Sequence, residues 1–114
     1  MSEAEAVVQE QVEAFNARDT ERFVACYADA ARIVGPDGAV ILEGTDAIRE
    51  QYGQVFVQSP ELHVDIPARI AVGDYVIEEE RAFGMVAEDM PFEAHAAVAY
   101  HVTEGKIDKV QMYR

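Results

Sequence analysis

The alternation of apolar and polar residues along the second half of the chain most constrains its fold. Apolar side chains recur at every second position of residues 62–72 and again of residues 92–102. Short turns at Gly73-Asp74, Glu88-Asp89 and Glu104-Gly105 separate the segments. A period of two residues with short connections is typical of antiparallel strands. We therefore predict four consecutive strands, over residues 62–72, 75–86, 92–102 and 106–113.

The first half of the chain has a helical period instead. Residues 3–16 carry an apolar stripe with the i, i+3, i+4 spacing of an amphipathic helix. Asp19 is placed to cap a short second helix with Phe23, Cys26 and Tyr27 on one side. A third helix is predicted from a cap at Thr45 to the stop at Ser59-Pro60. Between the last two helices, turn residues 35–38 separate two short predicted strands, 31–34 and 39–42.

The order of these elements predicts an α+β fold. Three helices and a small hairpin come first and four long strands follow, so the helices should cover one face of a bent antiparallel sheet and enclose a central pocket. The chain has 114 residues and no repeat or linker, which predicts one domain over residues 1–114.

Charge and cysteine content exclude several classes of protein. The 22 acidic residues outnumber the 9 basic ones, and the formal net charge of −13 argues against nucleic acid as a partner. The longest apolar runs are far shorter than a membrane span, so we expect no membrane partner. The single cysteine cannot form an internal disulfide, and no basic and apolar leader opens the chain. These features predict a cytoplasmic protein.

Several short motifs resemble those of SnoaL-like and ketosteroid isomerase-like proteins, members of the nuclear transport factor 2-like superfamily. The similarity covers nearly the whole chain and implies a cone-shaped fold with a ligand pocket, on which many unrelated functions have evolved. The motifs are Val7 to Asp19, Phe23 to Asp29, Pro36-Asp37-Gly38, Gly44 to Arg49, Val72-Gly73-Asp74 and Glu104 to Ile107.

The same resemblance argues against ketosteroid isomerase chemistry. That enzyme uses an aspartate base, together with a tyrosine and a protonated aspartic acid that stabilise the enolate. In our alignment these groups fall on Gly35, Gln11 and Val98, so all three are absent. Asp37 lies two residues beyond the base position, in a Pro-Asp-Gly turn where aspartate is common for structural reasons.

Glu78 and Glu80 are the predicted catalytic candidates. Alternation places them on one face of their strand and Glu79 on the other. The apolar pattern alone turns the face of Glu79 inward, whereas the register of the family turns Glu78 and Glu80 inward. Two carboxyl groups close together in a dry pocket would raise at least one pKa, as a general acid or base requires. The alternative is a solvated strand with Glu79 paired to an arginine.

Gln11 is a polar residue on the apolar stripe of the first helix. It is either a pocket hydrogen-bond donor or an amide bonded to backbone or water. Other predicted pocket residues are aromatic, apolar or charged side chains around the expected cavity, although Phe56 and Met112 also fit simple core packing and Arg114 also fits a frayed terminus. These residues are Tyr52, Phe56, His63, Val98, Tyr100, Met112 and Arg114.

No motif for a metal or cofactor is present in the sequence. The three histidines, at positions 63, 95 and 101, lack metal-ligand spacing, and we find no phosphate loop or nucleophile elbow. We predict neither a metal nor a cofactor.

Two functions remain open at this point. One is a non-catalytic domain that binds a small apolar or weakly polar molecule, or that serves association. The other is a small cofactor-independent isomerase, dehydratase or hydrolase with an inward glutamate as general base. In both cases we expect a homodimer through the outer face of the sheet, because Tyr75, Ile77 and Phe83 leave a second apolar face.

Overall fold

The computed structural model describes residues 1–86 and 92–113. The order of helices and strands agrees with the α+β prediction. The elements are α1 (Glu3–Ala17), α2 (Thr20–Val24), β1 (Tyr27–Val34), β2 (Val40–Glu43), α3 (Thr45–Gln58), β3 (His63–Val72), β4 (Tyr75–Phe83), β5 (Glu93–Thr103) and β6 (Lys106–Tyr113).

Helix α1 begins at a capping box and ends at a left-handed residue. The Ser2 hydroxyl accepts from the Glu5 amide at 3.1 Å, and the Glu5 carboxylate accepts from the Ser2 amide at 3.3 Å. Arg18 ends the helix at φ 53°, and its amide donates to the carbonyls of the last turn. The predicted helix 3–16 is therefore confirmed to within one residue.

The second helix is shorter than predicted. Asp19 caps it as expected, accepting from the Arg22 amide at 3.2 Å, but the helix stops at Val24. Tyr27 begins strand β1 instead of lying on the helix, so the prediction of a strand restricted to residues 31–34 was wrong. The Ile107 amide donates to the Cys26 carbonyl at 2.8 Å, and this bond to the last strand competes with helical continuation.

The six strands form one mixed sheet in the order β2-β1-β6-β5-β4-β3. Strands β3 to β6 form the predicted antiparallel meander, but β1 pairs with β6 in parallel. The purely antiparallel sheet was therefore wrong at this one pairing. A parallel pair needs a long crossover, which the chain from α3 through β5 supplies.

Strand β3 contains a register shift that the sequence pattern conceals. Asp65 pairs with Arg81, but Ala68 pairs with Glu79, so β3 carries one extra residue between them. The shift includes Pro67, which cannot donate a ladder hydrogen bond and is tolerated here because β3 is an edge strand. Beyond the shift, the odd-numbered residues of β3 turn inward and the even-numbered ones outward.

Strand β4 ends three residues earlier than predicted. Gly84 adopts φ 76°, and a Cβ at this position would lie 2.5 Å from the Glu61 carbonyl oxygen. Only glycine fits such a conformation and contact, so the chain leaves the sheet there. The reversal predicted at Glu88-Asp89 lies outside the described residues.

The three helices cover one face of the sheet, and helices and strands both supply the core. An aromatic cluster fills the space between the helices, with ring centroids of Phe23 and Tyr52 4.6 Å apart and those of Phe15 and Phe56 5.5 Å apart. Phe56 is 4% exposed and belongs to this cluster, as its core-packing interpretation predicts. None of these three helices has the length and hydropathy needed to cross a membrane.

Candidate functional site

Strand β4 turns its even-numbered residues toward the helices. Val76 and Glu78 are 0% and 1% exposed, whereas Tyr75 and Ile77 on the other face are 53% and 40% exposed. Glu80 and Ala82 follow on the inner face and are partly buried. The inward register of Glu78 and Glu80 is therefore the one observed. Glu78 is the more deeply buried of the two, because the inner face becomes more open toward Ala82.

Glu78 is neutralised by an arginine from the neighbouring strand. The Arg69 Nε atom donates to Glu78 Oε2 at 2.7 Å, and the side chain of Arg69 is 17% exposed. A terminal guanidinium nitrogen of Arg69 also donates to Gln9 Oε1 at 2.8 Å, which ties the ion pair to helix α1. A buried carboxylate needs such a partner, because an unpaired charge is costly at this depth.

Glu80 lies beside this pair, and within residues 1–86 and 92–113 no cation bonds it directly. The Tyr100 hydroxyl donates to Glu80 Oε2 at 2.8 Å. Burial and a hydrogen bond with Glu78 raise the pKa of Glu80 to about 8, against the opposing effects of Tyr100 and Arg69. The carboxyl group of Glu80 therefore favours its protonated form at neutral pH.

Three tyrosines surround the carboxyl pair. Burial raises the pKa of Tyr27, Tyr52 and Tyr100 above the usual phenol value, and the charge of Glu80 raises each further. These hydroxyls therefore stay protonated at neutral pH and lie within electrostatic reach of Glu80. Tyr52 comes from α3, so the site is enclosed by the helical layer as well as by the sheet.

Gln11 is buried on the inner side of α1 with an unsatisfied acceptor. The residue is 5% exposed, and among the described residues neither Gln11 Oε1 nor Glu78 Oε1 has a hydrogen-bond partner. A buried acceptor without a donor carries a desolvation cost of about 1–3 kcal/mol. This oxygen decides neither of the two predicted roles of Gln11, because a pocket donor would be the amide nitrogen, and both roles stay predictions.

Small side chains lie next to Glu80 on the inner face. Ala96 lies directly opposite Glu80 in the β4–β5 register, and Ala82 pairs with Ala94 one step further along. All three alanines are partly buried. Val98 and Met112 pair with each other on the same face, Val98 at 1% exposure and Met112 packed against the core. The carboxyl pair thus has small and apolar neighbours in the sheet.

The sequence of residues 8–110 matches the family model of the SnoaL-like domain. The chain belongs to the SnoaL-like domain family. This confirms the resemblance read from the motifs, and the nuclear transport factor 2-like fold expected with it.

Solved structures share the fold of this SnoaL-like domain. An uncharacterised cystatin-fold protein from Novosphingobium aromaticivorans is 24% identical with a TM-score of 0.86, covering 100% of this chain and 99% of its own. An NTF2-like protein of unknown function from Cytophaga hutchinsonii is 15% identical with a TM-score of 0.78, covering 96% and 88%. An LEH-like epoxide hydrolase from Mycobacterium tuberculosis is 16% identical with a TM-score of 0.82, covering 97% and 81%. No curated protein matches the sequence.

One predicted site residue, His63, lies away from this group. His63 pairs with Phe83 on the outer face, and its ring lies 2.8 Å from the Asp65 carboxylate, so its placement at the pocket mouth was wrong. The alternation of β3 begins with a buried residue at Val64, which turns His63 outward. Arg114 lies outside the described residues. Glu79 points outward as well and binds His95 at 2.6 Å and Arg81 at 3.8 Å.

Sequence reasoning missed Arg69 and Tyr27 as members of the site. Unbroken alternation along residues 62–72 places Arg69 on the polar outer side, and only the shift at Pro67 brings it inward. The proline was the signal, since proline inside a strand marks an edge or a bulge. Tyr27 was missed because the second helix was extended too far.

Two surface grooves lie elsewhere on the SnoaL-like domain. One, of about 660 Å³, lies between α2, β1 and the β5–β6 turn, and includes Glu21, Arg49 and Lys106. The other, of about 330 Å³, lies on the outer face of the sheet and includes Arg32, Tyr75 and Lys109. Neither is lined by Glu78 or Glu80, and we place the site at the buried carboxyl pair because unsatisfied polar atoms are found there. Within residues 1–86 and 92–113, no three metal-ligating side chains come together.

Proposed function

We propose that this SnoaL-like domain binds a small, mostly apolar molecule on the concave side of the sheet, with the polar group of the ligand at Glu78 and Glu80. The observation that carries the proposal is the pair of carboxyl groups on the inner face of β4, with Glu78 only 1% exposed and alanine and valine residues beside it in the sheet. Ligand sites commonly combine apolar walls with a few convergent polar groups. Glu78 is fixed by Arg69 and Glu80 by Tyr100, so both are oriented before a ligand arrives.

The alanines next to Glu80 support the same location. A ligand body needs volume beside the polar groups, and Ala82, Ala94 and Ala96 are the smallest side chains that the inner face could carry there without glycine. Tyr52 is also only partly buried, although its ring packs against Phe23. These partly exposed residues mark the side from which a molecule would enter.

A thermal-shift screen of a metabolite library against the intact protein tests this proposal. A ligand at 100 times its Kd should stabilise the fold by about 2.7 kcal/mol. Ala96→Leu fills the space opposite Glu80 and should abolish the shift while the protein stays folded. Glu79→Gln changes the neighbouring carboxylate on the outer face and should leave the shift unchanged. Hits that are insensitive to Ala96→Leu would place the ligand elsewhere and contradict the proposal.

A second candidate is an enzyme that uses Glu80 as general acid or base. The pKa of about 8 favours this candidate, because a catalytic group works best with a pKa near the working pH. Glu80 would take a proton from a substrate carbon or water, and Tyr100 would stabilise the carboxylate. The reaction classes are isomerisation, dehydration and hydrolysis, without ketosteroid isomerase activity. Turnover that disappears in Glu80→Gln but persists in Glu79→Gln would support this candidate.

A further inference from the structure

Few donors reach the carboxyl pair among the described residues. Arg69 donates to Glu78 and Gln9, and the Tyr100 hydroxyl donates to Glu80. These bonds leave Glu78 Oε1 without a partner, and Gln11 Oε1 on α1 is a second buried acceptor without one. The hydrogen bond between Glu80 and Glu78 needs a proton on one of the two carboxyl groups. A ligand that supplies N–H groups can take the place of that proton.

Within residues 1–86 and 92–113, the two carboxyl groups meet one cation. Arg69 pairs with Glu78, and no lysine or arginine bonds Glu80 directly. The second carboxyl group must hold a proton or meet another cation, because an unpaired charge is costly at this depth. Burial, which disfavours the charged form, is the main cause of the raised pKa of Glu80.

We propose that the ligand polar group is a protonated amine, carried on a small apolar body, which takes the place of the proton on Glu80. The inference rests on the proposed ligand-binding function and narrows it to one chemical class. A primary ammonium supplies one positive charge and three N–H donors. An alcohol supplies one donor and no charge, a ketone supplies no donor, and a carboxylate adds a third negative charge.

The charge of the whole molecule fits a cation as well. A net charge of −13 raises the local concentration of cations around the protein.

Amine binding should release a proton. Below pH 8 the carboxyl group of Glu80 is protonated, so the ammonium forms its ion pair only when that proton leaves to solvent. The affinity for an amine should therefore rise by about tenfold per pH unit below pH 8 and level off above it. Five charged or titratable groups influence Glu80. Glu78, Arg69, Tyr100 and Tyr27 lie in the sheet, and Tyr52 lies in α3.

Calorimetric titration with three probes of matched shape tests the inference. Cyclohexylamine, cyclohexanol and cyclohexanone differ only in the polar group, and each is titrated into the intact protein at pH 7 in phosphate and in Tris. We expect cyclohexylamine to bind at least about tenfold more tightly than the other two, because it supplies the missing charge. The difference in heat between the two buffers should correspond to about one proton released per amine bound.

Two matched variants test whether the preference for the amine depends on Glu80. Glu80→Gln cannot pair with the ammonium and should lose the preference for the amine, whereas Glu79→Gln should retain it. If Glu80→Gln does not fold, proton release and the pH dependence of the wild type still decide the question. Tighter binding of the alcohol or ketone, dependent on Glu80, would overturn the amine inference and leave the ligand-binding proposal standing. Amine binding that is unchanged in Glu80→Gln would overturn the amine inference. Absence of binding by all three probes at 10 mM would overturn the inference and would also count against the proposed ligand site.

Discussion

The carboxyl group of Glu80 occupies surroundings that disfavour its own charge, and this has a measurable consequence for stability. Its pKa rises from an ordinary 4.5 to about 8 on folding. Because its pKa is higher in the folded protein, the Glu80 carboxyl group ionises at a lower pH in the unfolded chain than in the folded one. The wild type therefore loses stability as pH rises above about 4.5. The loss is complete above about pH 8.

Replacing Glu80 by glutamine should therefore stabilise the protein in a pH-dependent way. We expect no difference from the wild type near pH 4 and a gain on the order of 4 kcal/mol at pH 8, since one pKa unit corresponds to about 1.4 kcal/mol. Urea unfolding at a series of pH values measures this. Glu50→Gln, an exposed residue of α3, is the control and should give a flat difference. A flat profile for Glu80→Gln would show that Glu80 is not desolvated.

Arg69 compensates the charge of Glu78, so its removal should be costly. Arg69→Met leaves a carboxylate that is 1% exposed without a cation, and breaking a buried pair in this way costs about 3–5 kcal/mol. The double variant Arg69→Met/Glu78→Met removes both charges and should recover most of the loss. Arg81→Met provides the contrast, because Arg81 is half-exposed and 3.8 Å from Glu79, and exposed pairs contribute about 0–1 kcal/mol. Equal costs for Arg69→Met and Arg81→Met in denaturant unfolding would contradict this account.

At the scale of elements, the side chain of Asn16 fixes the C-terminal end of α1 to the edge of the sheet. Asn16 accepts from the Val64 amide at 2.8 Å and donates to the Val64 carbonyl at 3.1 Å, as a neighbouring strand would. Strand β3 lies at the edge of the sheet, so these bonds occupy groups that have no strand on that side. By joining α1 to β3, these bonds also help to fix the position of Gln11 on α1 relative to Arg69 on β3.

Asn16→Ala should destabilise the protein by about 2 kcal/mol, because two partly buried hydrogen bonds are lost. Hydrogen exchange at the Val64 amide should accelerate. Asn16→Asp keeps the acceptor for that amide but not the donor, and should fall between the wild type and the alanine variant. Gln54→Ala on the exposed side of α3 serves as control. Unchanged exchange at Val64 in Asn16→Ala would mean that α1 is held by packing alone.

The elements that the sequence predicted well are those in which local pattern and burial agree. Helix α1, the cap at Asp19 and the strands β4 to β6 follow from periodicity and turn residues within a few positions. The parallel pairing of β1 with β6 could not be predicted in this way, because it joins segments that are distant in the chain and depends on three-dimensional packing.

The candidate site was predictable only in part. Glu78 and Glu80 were identified by their spacing, and the family register chose their face correctly where apolar content favoured the other. Arg69 was not identified because one extra residue at Pro67 reverses the face of every residue after it. The same reversal turns Ile70 and Val72 outward, at 59% and 67% exposure, against the simple alternation of the strand.

At the scale of the molecule, this reversal enlarges the apolar surface on the outer side of the sheet. Ile70 pairs with Ile77 and Val72 with Tyr75, so two apolar cross-strand pairs lie side by side on that face. Tyr75 also packs against the ring of His101, with centroids 4.7 Å apart. Exposed apolar patches that span several strands commonly mark an interface. The patch consists of Ile70, Val72, Tyr75, Ile77, Phe83 and Tyr113.

We propose that a second copy of the chain covers this patch. A two-fold interface brings the same surface from both copies together, and the sheet face is broad enough to be self-complementary. Arg32 and Arg81 on the outer side lie next to Glu43 and Glu79, so basic and acidic side chains are mixed around the patch.

Sedimentation velocity should show a species of about twice the 12.6 kDa chain mass at concentrations on the order of tens of micromolar. Ile77→Lys places a charge in the middle of the patch and should shift the protein to monomer without unfolding it, because Ile77 is 40% exposed in the isolated chain. Val57→Lys alters a solitary apolar residue on α3 that is 85% exposed, and should leave the dimer intact. Added salt should strengthen the dimer, because it screens the repulsion between two acidic chains. A wild type that remains monomeric at these concentrations in high salt would exclude the outer face as a self-association surface, and the apolar pairs at Ile70 and Val72 would then need a different partner.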